Sequence, residues 1–260
     1  MMHKGKFVLS PSFDERGRHN VNVIADLCRG AACASQRQGL LIMAIFVGID
    51  GIRNGWVAVY LNDDGNHRFA RAERAAELLS VPYERAMIDM PIGLPERGYR
   101  SCDIEARGLV GPRVFLGARY GIWTFETLDD ANAHYWEAEG AGCGISMQLF
   151  CIRTKLQEMN ETGVPPRVFE AHPELFFWRV AGRLLDSKKT KMGRDQRVEI
   201  PENNGIAMIS DWLEKRRGTG IGRDDLIDAC ACALVARDSQ NTVPVSNADA
   251  RQESQPKIWY

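Results

Sequence analysis

Phe46-Val47-Gly48-Ile49-Asp50-Gly51-Ile52-Arg53-Asn54-Gly55-Trp56 is an apolar run that ends on an aspartate and passes into a turn. Ile45–Asp50 has the length and composition of a strand. Asn54-Gly55 is a strong hairpin signal, and Trp56–Leu61 is a second apolar run, so the two are expected to pair antiparallel. Asn62-Asp63-Asp64-Gly65 marks another turn, leading to a third strand near His67–Ala72. Ala75–Ser80 reads as a short helix. Arg85–Met90 scarcely alternates and reads as a strand buried on both faces. Residues 92–133 form a long Gly- and Arg-rich stretch with short helices such as Cys102–Leu109. Ser146–Asn160 reads as helical, and Arg167–His172 as a strand after Pro165-Pro166. Leu175–Val180 and Gly205–Arg216 are helical pieces of a mixed segment, 173–222. Asp224–Arg237 is apolar on nearly every face and therefore a buried helix. The order β-β-β-α-β-(insert)-α-β-(insert)-α gives an α/β protein.

The 260 residues suffice for one large domain. The 45% hydrophobic and 26% charged fractions are ordinary for a globular chain. A net charge of −1 supplies no global basic field of the kind that coats nucleic acid non-specifically. The seven cysteines form no Cys-x-x-Cys pair, so reduced thiols and a cytoplasmic location are expected. Gly39–Ile49 is about half the ~20 residues a bilayer crossing needs, and no membrane association is expected. Residues 1–42 show no clear period and lack the order of a secretory signal. They read as an N-terminal extension, poorly ordered or not native, with Met43 as the functional start. Residues 43–260 read as a single domain with insertions at about 92–145 and 173–222.

The acids carry the chemistry. Burying a carboxylate is costly unless it is paired, hydrogen-bonded or metal-bound. Asp50 and Asp89 each close an apolar run, although Asp50 alone also suits a turn-initiating aspartate. Asp224 suits an N-cap and Asp225 the first turn of the late helix. Asp228 lies deeper, among Leu226, Ile227, Ala229 and Cys230, and three residues' spacing puts it on the face of Asp225. Like charges on a core-facing stripe repel unless a cation lies between them. With no sulfur or histidine set nearby, Mg²⁺ or Mn²⁺ fits best.

In Val168-Phe169-Glu170-Ala171-His172-Pro173-Glu174, strand alternation places Val168, Glu170 and His172 on one face. Glu170 is a further candidate ligand. His172 is a candidate proton shuttle or phosphate contact, or a strand-end histidine that is simply hydrogen-bonded. Arg97, Arg100, Arg107, Arg113 and Arg119 crowd the first insert, and Lys188, Lys189, Lys191 and Arg194 the second. Such side chains are usually solvated surface, but Lys188-Lys189-Thr190-Lys191 is dense enough to suggest a phosphate contact. Trp123, Phe125, Tyr135 and Trp136 suit base stacking and core packing equally well.

Together, Gly48-Ile49-Asp50 with Gly55-Trp56, Ile88-Asp89-Met90-Pro91-Ile92-Gly93-Leu94, Cys102-Asp103-Ile104-Glu105-Ala106-Arg107, Gly144-Ile145-Ser146 with Gln148, Glu170-Ala171-His172-Pro173-Glu174, Ser187-Lys188-Lys189-Thr190 and Asp224-Asp225-Leu226-Ile227-Asp228-Ala229 resemble an uncharacterised bacterial and archaeal family described as predicted RNase H-like nucleases. The resemblance runs from about 44 to 240. It departs at Val114–Arg119, where prolines would follow the phenylalanine. It implies a ribonuclease H-like fold: a mixed five-stranded sheet, its first three strands antiparallel, flanked by helices. An Asp on the first strand and an acid on the fourth then meet acids on the last helix, in the manner of the resolvase-like branch, which leaves a homodimer open.

The activity implied is two-metal hydrolysis of a nucleic acid, with Asp50 bridging two Mg²⁺ or Mn²⁺ ions, Asp89 on one side and Asp225 and Asp228 on the other. Lys188, Lys189 and insert arginines, Arg100 and Arg107 among them, would hold substrate phosphates. Two other readings stay open. One is a non-catalytic module that binds nucleic acid or protein. The other is an actin-like phosphotransferase, suggested by Gly48-Ile49-Asp50-Gly51, although no second phosphate hairpin is found after Met43.

Overall fold

The computed structural model describes residues 44–244 and 255–260. They belong to one compact unit, Met43–Tyr260. The reading of residues 1–42 as an extension lies outside the described residues.

Strands β1 (Ile45–Ile52), β2 (Gly55–Asn62), β3 (Arg68–Ala72), β4 (Arg85–Ile88), β5 (Val168–Ala171), β6 (Thr242–Val243) and β7 (Ile258–Trp259) form one mixed sheet in the order β3-β2-β1-β4-β5-β7-β6. The expected hairpin is present: β1 and β2 pair antiparallel from Ile45↔Asn62 to Ile52↔Gly55, and β3 continues antiparallel on β2. Gly55 has φ 115°, a conformation that a residue with a side chain rarely adopts. β4 and β5 then add in parallel.

The expected five strands are seven. The last two, β6 and β7, are only two residues long, too short to leave a period in the sequence. β7 adds parallel to β5, and β6 pairs antiparallel with β7 at the edge.

The helices are α1 (Ala75–Leu78), α2 (Ser101–Val110), α3 (Leu128–Glu139), α4 (Met147–Cys151), α5 (Arg153–Thr162), α6 (Pro173–Ala181), α7 (Lys191–Asn203), α8 (Ile209–Lys215) and α9 (Arg223–Asp238). The helix expected over Ser146–Asn160 is two, broken at Ile152. Strand alternation divides the core. Val47, Ile49, Trp56, Ala58, Tyr60, Ala86 and Ile88 face a cluster that includes Leu149, Leu156 and Met159 from α4 and α5. Ile52, Val57, Val59, Leu61 and Met87 face the opposite cluster, with Phe176 and Phe177 of α6, Trp212 of α8 and almost all of α9.

Helix α9 is buried from Leu226 to Ala236 except at Asp228, as its all-round apolar sequence demands. It lies directly on β1 at Gly48, where an added Cβ would sit 2.1 Å from both the Ala229 carbonyl oxygen and the Ala233 nitrogen. Glycine on the strand and alanines one helical turn apart let the two backbones meet. No helix among the described residues is long and apolar enough to cross a membrane.

Candidate functional site

The parallel register of β1 and β4 brings the first two acids together. Ile49 pairs with Ile88, and the Asp89 N–H donates to the Ile49 carbonyl at 2.9 Å. One further step along the ladder sets Asp50 beside Asp89. Asp89 occupies the bend just beyond β4 rather than the strand the sequence suggests. By strand parity both carboxylates point to the α9 side of the sheet, with Gly48 and Met87. Gly48 lets α9 approach, and Asp228, adjacent to Ala229, completes the group. One carboxylate oxygen from each of Asp50, Asp89 and Asp228 lies within 4.8 Å of the others.

Burial, and then the charges of Asp89, Asp228 and Asp225, drive the Asp50 carboxyl well above the usual carboxylate range. The Gly51 N–H, donating to Asp50 Oδ1 at 2.6 Å, opposes this, and the nearby Lys155 ammonium also interacts with Asp50. The Gly51 bond goes to the next residue and not to the N–H two residues on that a turn-initiating aspartate would take, so the turn reading does not account for Asp50. Burial pushes Asp89 up to about 7 and Asp228 up to about 8, and in each the nearby Lys188 pulls in the other direction.

Asp225 stands apart. Its Oδ2 accepts from the Gly222 N–H at 3.2 Å, closing the first turn of α9, whose N-cap is Gly222 and not Asp224. It is not among the three converging carboxylates, although its charge still raises Asp50.

Glu170 pairs with Ile88, so parity directs it away from the α9 side, yet it borders the same cleft and its charge helps raise Asp89. Both its oxygens are occupied: Oε2 accepts from Ile92 N at 2.8 Å and Arg100 Nη1 at 2.6 Å, and Oε1 from Arg100 Nη2 at 2.8 Å. Neither Glu170 as a free ligand nor Arg100 as a free phosphate contact matches this geometry. Arg100 is 5% exposed and spends its remaining donors on Asp103 and the Ile92 carbonyl. It is the internal counter-ion of Glu170 and Asp103.

His172 caps α6, its Nδ1 accepting from the Glu174 N–H at 3.2 Å. Burial lowers its pKa, and its other hydrogen bond goes to the Arg113 backbone. It is therefore a neutral, fully engaged ring at the wall of the site. Lys188 reaches Asp228, its Nζ 3.7 Å from Asp228 Oδ2, while the charge of Lys155 is felt at Asp50 and Asp225. Lys189 does not line the cleft; its N–H donates to Ser187 Oγ and its carbonyl accepts from Arg194. Arg107 is exposed and donates to the Val114 carbonyl at 2.7 Å, outside the cleft. Arg119, expected on the surface, is wholly buried against Glu139.

The acids open into a cleft of about 200 Å³. Its charged lining is Asp50, Asp89, Asp103, Glu170, Glu174 and Asp228 against Arg100, Arg113 and Lys188, an excess of negative charge. Val114, Phe115, Leu149 and Ile152 form an apolar wall. A shallower groove of about 520 Å³ between α7, α8 and the start of α9 shares no residue with it. Three further residues shape the site: Arg113, one of the insert arginines; Glu174, which the sequence places at the start of a helix, as found; and Lys155, which no sequence pattern singles out. Arg113 lines the cleft, Glu174 accepts a two-pronged bond from Arg197 at 2.9 and 2.8 Å, and Lys155 of α5 flanks Gly51, donating to the Gly55 carbonyl at 2.6 Å. Each joins residues far apart in the chain, which local patterns do not report.

Three converging carboxylates with no sulfur or imidazole among them suit a hard, oxygen-preferring divalent cation. No curated protein and no solved structure matches the chain. A family model described as "Protein of unknown function (DUF429)" matches residues 48–250, most of the chain, and the protein belongs to that family.

Proposed function

We propose that this protein is a divalent-metal-dependent nuclease of ribonuclease H-like fold that hydrolyses phosphodiester bonds in a nucleic acid. The observation that carries the reading is the meeting of Asp50, Asp89 and Asp228 within 4.8 Å, Asp50 buried and the other two half-buried. It is supported by their placement: one acid on the first strand, one just past the fourth, and one on the last long helix.

The donor set fits Mg²⁺ or Mn²⁺. Burial above all, and then repulsion among acids, raises the three carboxyls, Asp89 to about 7 and Asp228 to about 8, and the charge of a divalent ion would offset the repulsion. Asp50, Asp89 and Asp228 would hold the metal, while Asp225 acts on Asp50 only through its charge. A divalent ion there supplies Lewis-acid activation of water and neutralises charge at the phosphodiester. The chain's own residues then orient the substrate. Lys188, at the mouth, leaves Asp228 for the phosphate. His172 and the Arg100–Glu170–Asp103 group keep the wall rigid. The apolar side formed by Phe115, Leu149 and Ile152 faces sugar and base and limits water.

Calorimetric titration with Mn²⁺, followed by a panel of single-stranded, duplex and branched DNA and RNA, tests the reading. Mn²⁺ binding and hydrolysis, both lost in Asp50→Asn, are expected. Turnover undiminished in that variant would sink it. The Lys188–Asp228 ion pair favours a second reading, a non-catalytic binding module in which lysine takes the cation's place. Nucleic-acid binding with no Mn²⁺ uptake would select it.

A further inference from the structure

Arg113 lies just past α2, in the 3-10 turn Gly111–Arg113, and neither the acidic group nor the internal ion pairs require it. Its Nε stands 3.3 Å from Glu174 Oε2, but Glu174 already has a complete counter-ion in Arg197, whose guanidinium is buried and bonds both oxygens. Arg113 Nη2 donates to the Leu185 carbonyl at 2.9 Å, which fixes the guanidinium in place. Its side chain is 28% exposed, and it lines the same cleft as Asp50, Asp89, Asp228 and Lys188. Arg100, by contrast, is saturated. Arg113 is therefore the surplus planar cation of the cleft, preorganised on rigid acceptors and partly open.

The size of the cleft restricts what Arg113 can meet. About 200 Å³ is below the ~300–1,000 Å³ usual for small-molecule sites, so the cleft itself has room for one phosphate with its sugar, and further nucleotides would lie outside it. Phe115, 39% exposed, stands two residues from Arg113 on the same wall, where a single sugar or base would contact it. A planar guanidinium binds two oxygens of one phosphate at once, and a monoester offers more unshared oxygens and charge than a diester.

We propose that Arg113, with Lys188, recognises a terminal phosphate monoester, so that the substrate is the phosphorylated end of a single strand rather than an internal linkage of a duplex. The proposal rests on the nuclease reading for the identity of the polymer, but its test does not depend on turnover.

Fluorescence anisotropy with short oligothymidylates carrying a 5′-phosphate, a 3′-phosphate or neither measures the preference. Phosphorothioate linkages within the probes prevent their consumption by the full-length protein in Mn²⁺, with its acidic group intact. One phosphorylated end should bind about 10–100-fold tighter than the hydroxyl-ended strand. That preference should vanish with Arg113→Ala and fall to a few-fold with Arg113→Lys, which keeps the charge but loses the fork. Arg197 still neutralises Glu174 in both, and unchanged circular dichroism and melting temperature would confirm folding. Equal binding of all three probes, or a preference that survives Arg113→Ala, overturns the assignment. Hydrolysis by the parent protein without end preference overturns it while the nuclease reading stands. An Arg113-dependent preference in a parent protein that never hydrolyses removes the nuclease reading and keeps the recognition site.

Discussion

Gly48 and Ala229 are in backbone contact: a β-carbon on Gly48 would lie 2.1 Å from the Ala229 carbonyl oxygen. This close approach builds the site, because Asp50 lies two residues along from Gly48 on the same face and Asp228 directly precedes Ala229. Gly48→Ala must therefore push α9 off β1. A loss of at least about 3 kcal/mol is expected, beyond ordinary overpacking because the obstruction is backbone. Gly108, in α2 with nothing within 4 Å, is the control. Gly108→Ala should stabilise by about 0.5–1 kcal/mol. Urea unfolding of the pair checks both, and a Gly48→Ala protein as stable as the parent would contradict the packing.

That contact also explains what could be read from the chain. The apolar run into Asp50, the Asn54-Gly55 turn and the all-round apolar helix are local patterns, and they place β1, β2 and α9 correctly. Spacing suggests that Asp225 and Asp228 act together, but the first-turn position draws Asp225 back to the Gly222 N–H. Glu170 and Arg100 are 70 residues apart, and no local period announces their pairing. Helix α7 is hidden by Pro201 within it. Helix α3 had a legible signal that went unused, Thr127 capping the Asp130 N–H at 3.1 Å.

The acids make stability depend on pH. Asp50, Asp89 and Asp228 titrate higher in the folded protein than the ~3.9 of an unfolded aspartate, with Asp89 at about 7 and Asp228 at about 8. Between about pH 4 and pH 8 the folded state thus holds more protons than the unfolded state, and stability falls as pH rises. The metal-free protein should melt several degrees lower at pH 8 than at pH 5.5, and Mn²⁺ should recover most of the difference at pH 8. Asp50→Asn removes one repelling charge without changing shape, so its metal-free melting temperature at pH 8 should exceed the parent's while Mn²⁺ no longer raises it. Differential scanning calorimetry at the two pH values decides. A parent protein equally stable at both would show that the carboxylates are not mutually strained.

Arg100 distinguishes internal pairing from substrate contact. Arg100→Ala leaves Glu170 and Asp103 buried without a counter-ion, and a loss of about 3–5 kcal/mol is expected. Arg100→Lys keeps the charge but not the planar fork, and should lose less, about 2 kcal/mol. Chemical denaturation measures both. Variants that keep full stability and lose only nucleic-acid affinity would return Arg100 to the substrate.

Lys188 occupies the position where its charge acts on Asp228 and Asp89 together. Its own pKa is raised, chiefly by Asp228, so the ammonium is permanently charged near neutrality. On the proposed reading, Lys188 would compete with a divalent ion for Asp228. Lys188→Ala removes that competitor, and Mn²⁺ should bind about 3–10-fold tighter, the modest gain reflecting the half-exposed ammonium and solvent screening. Substrate affinity should move in the opposite direction, because the same side chain then has no charge to offer a phosphate. Parallel titrations with Mn²⁺ and with an oligonucleotide separate the two effects. Weakened Mn²⁺ binding would mean that Lys188 holds Asp228 in place for the metal instead of competing with it.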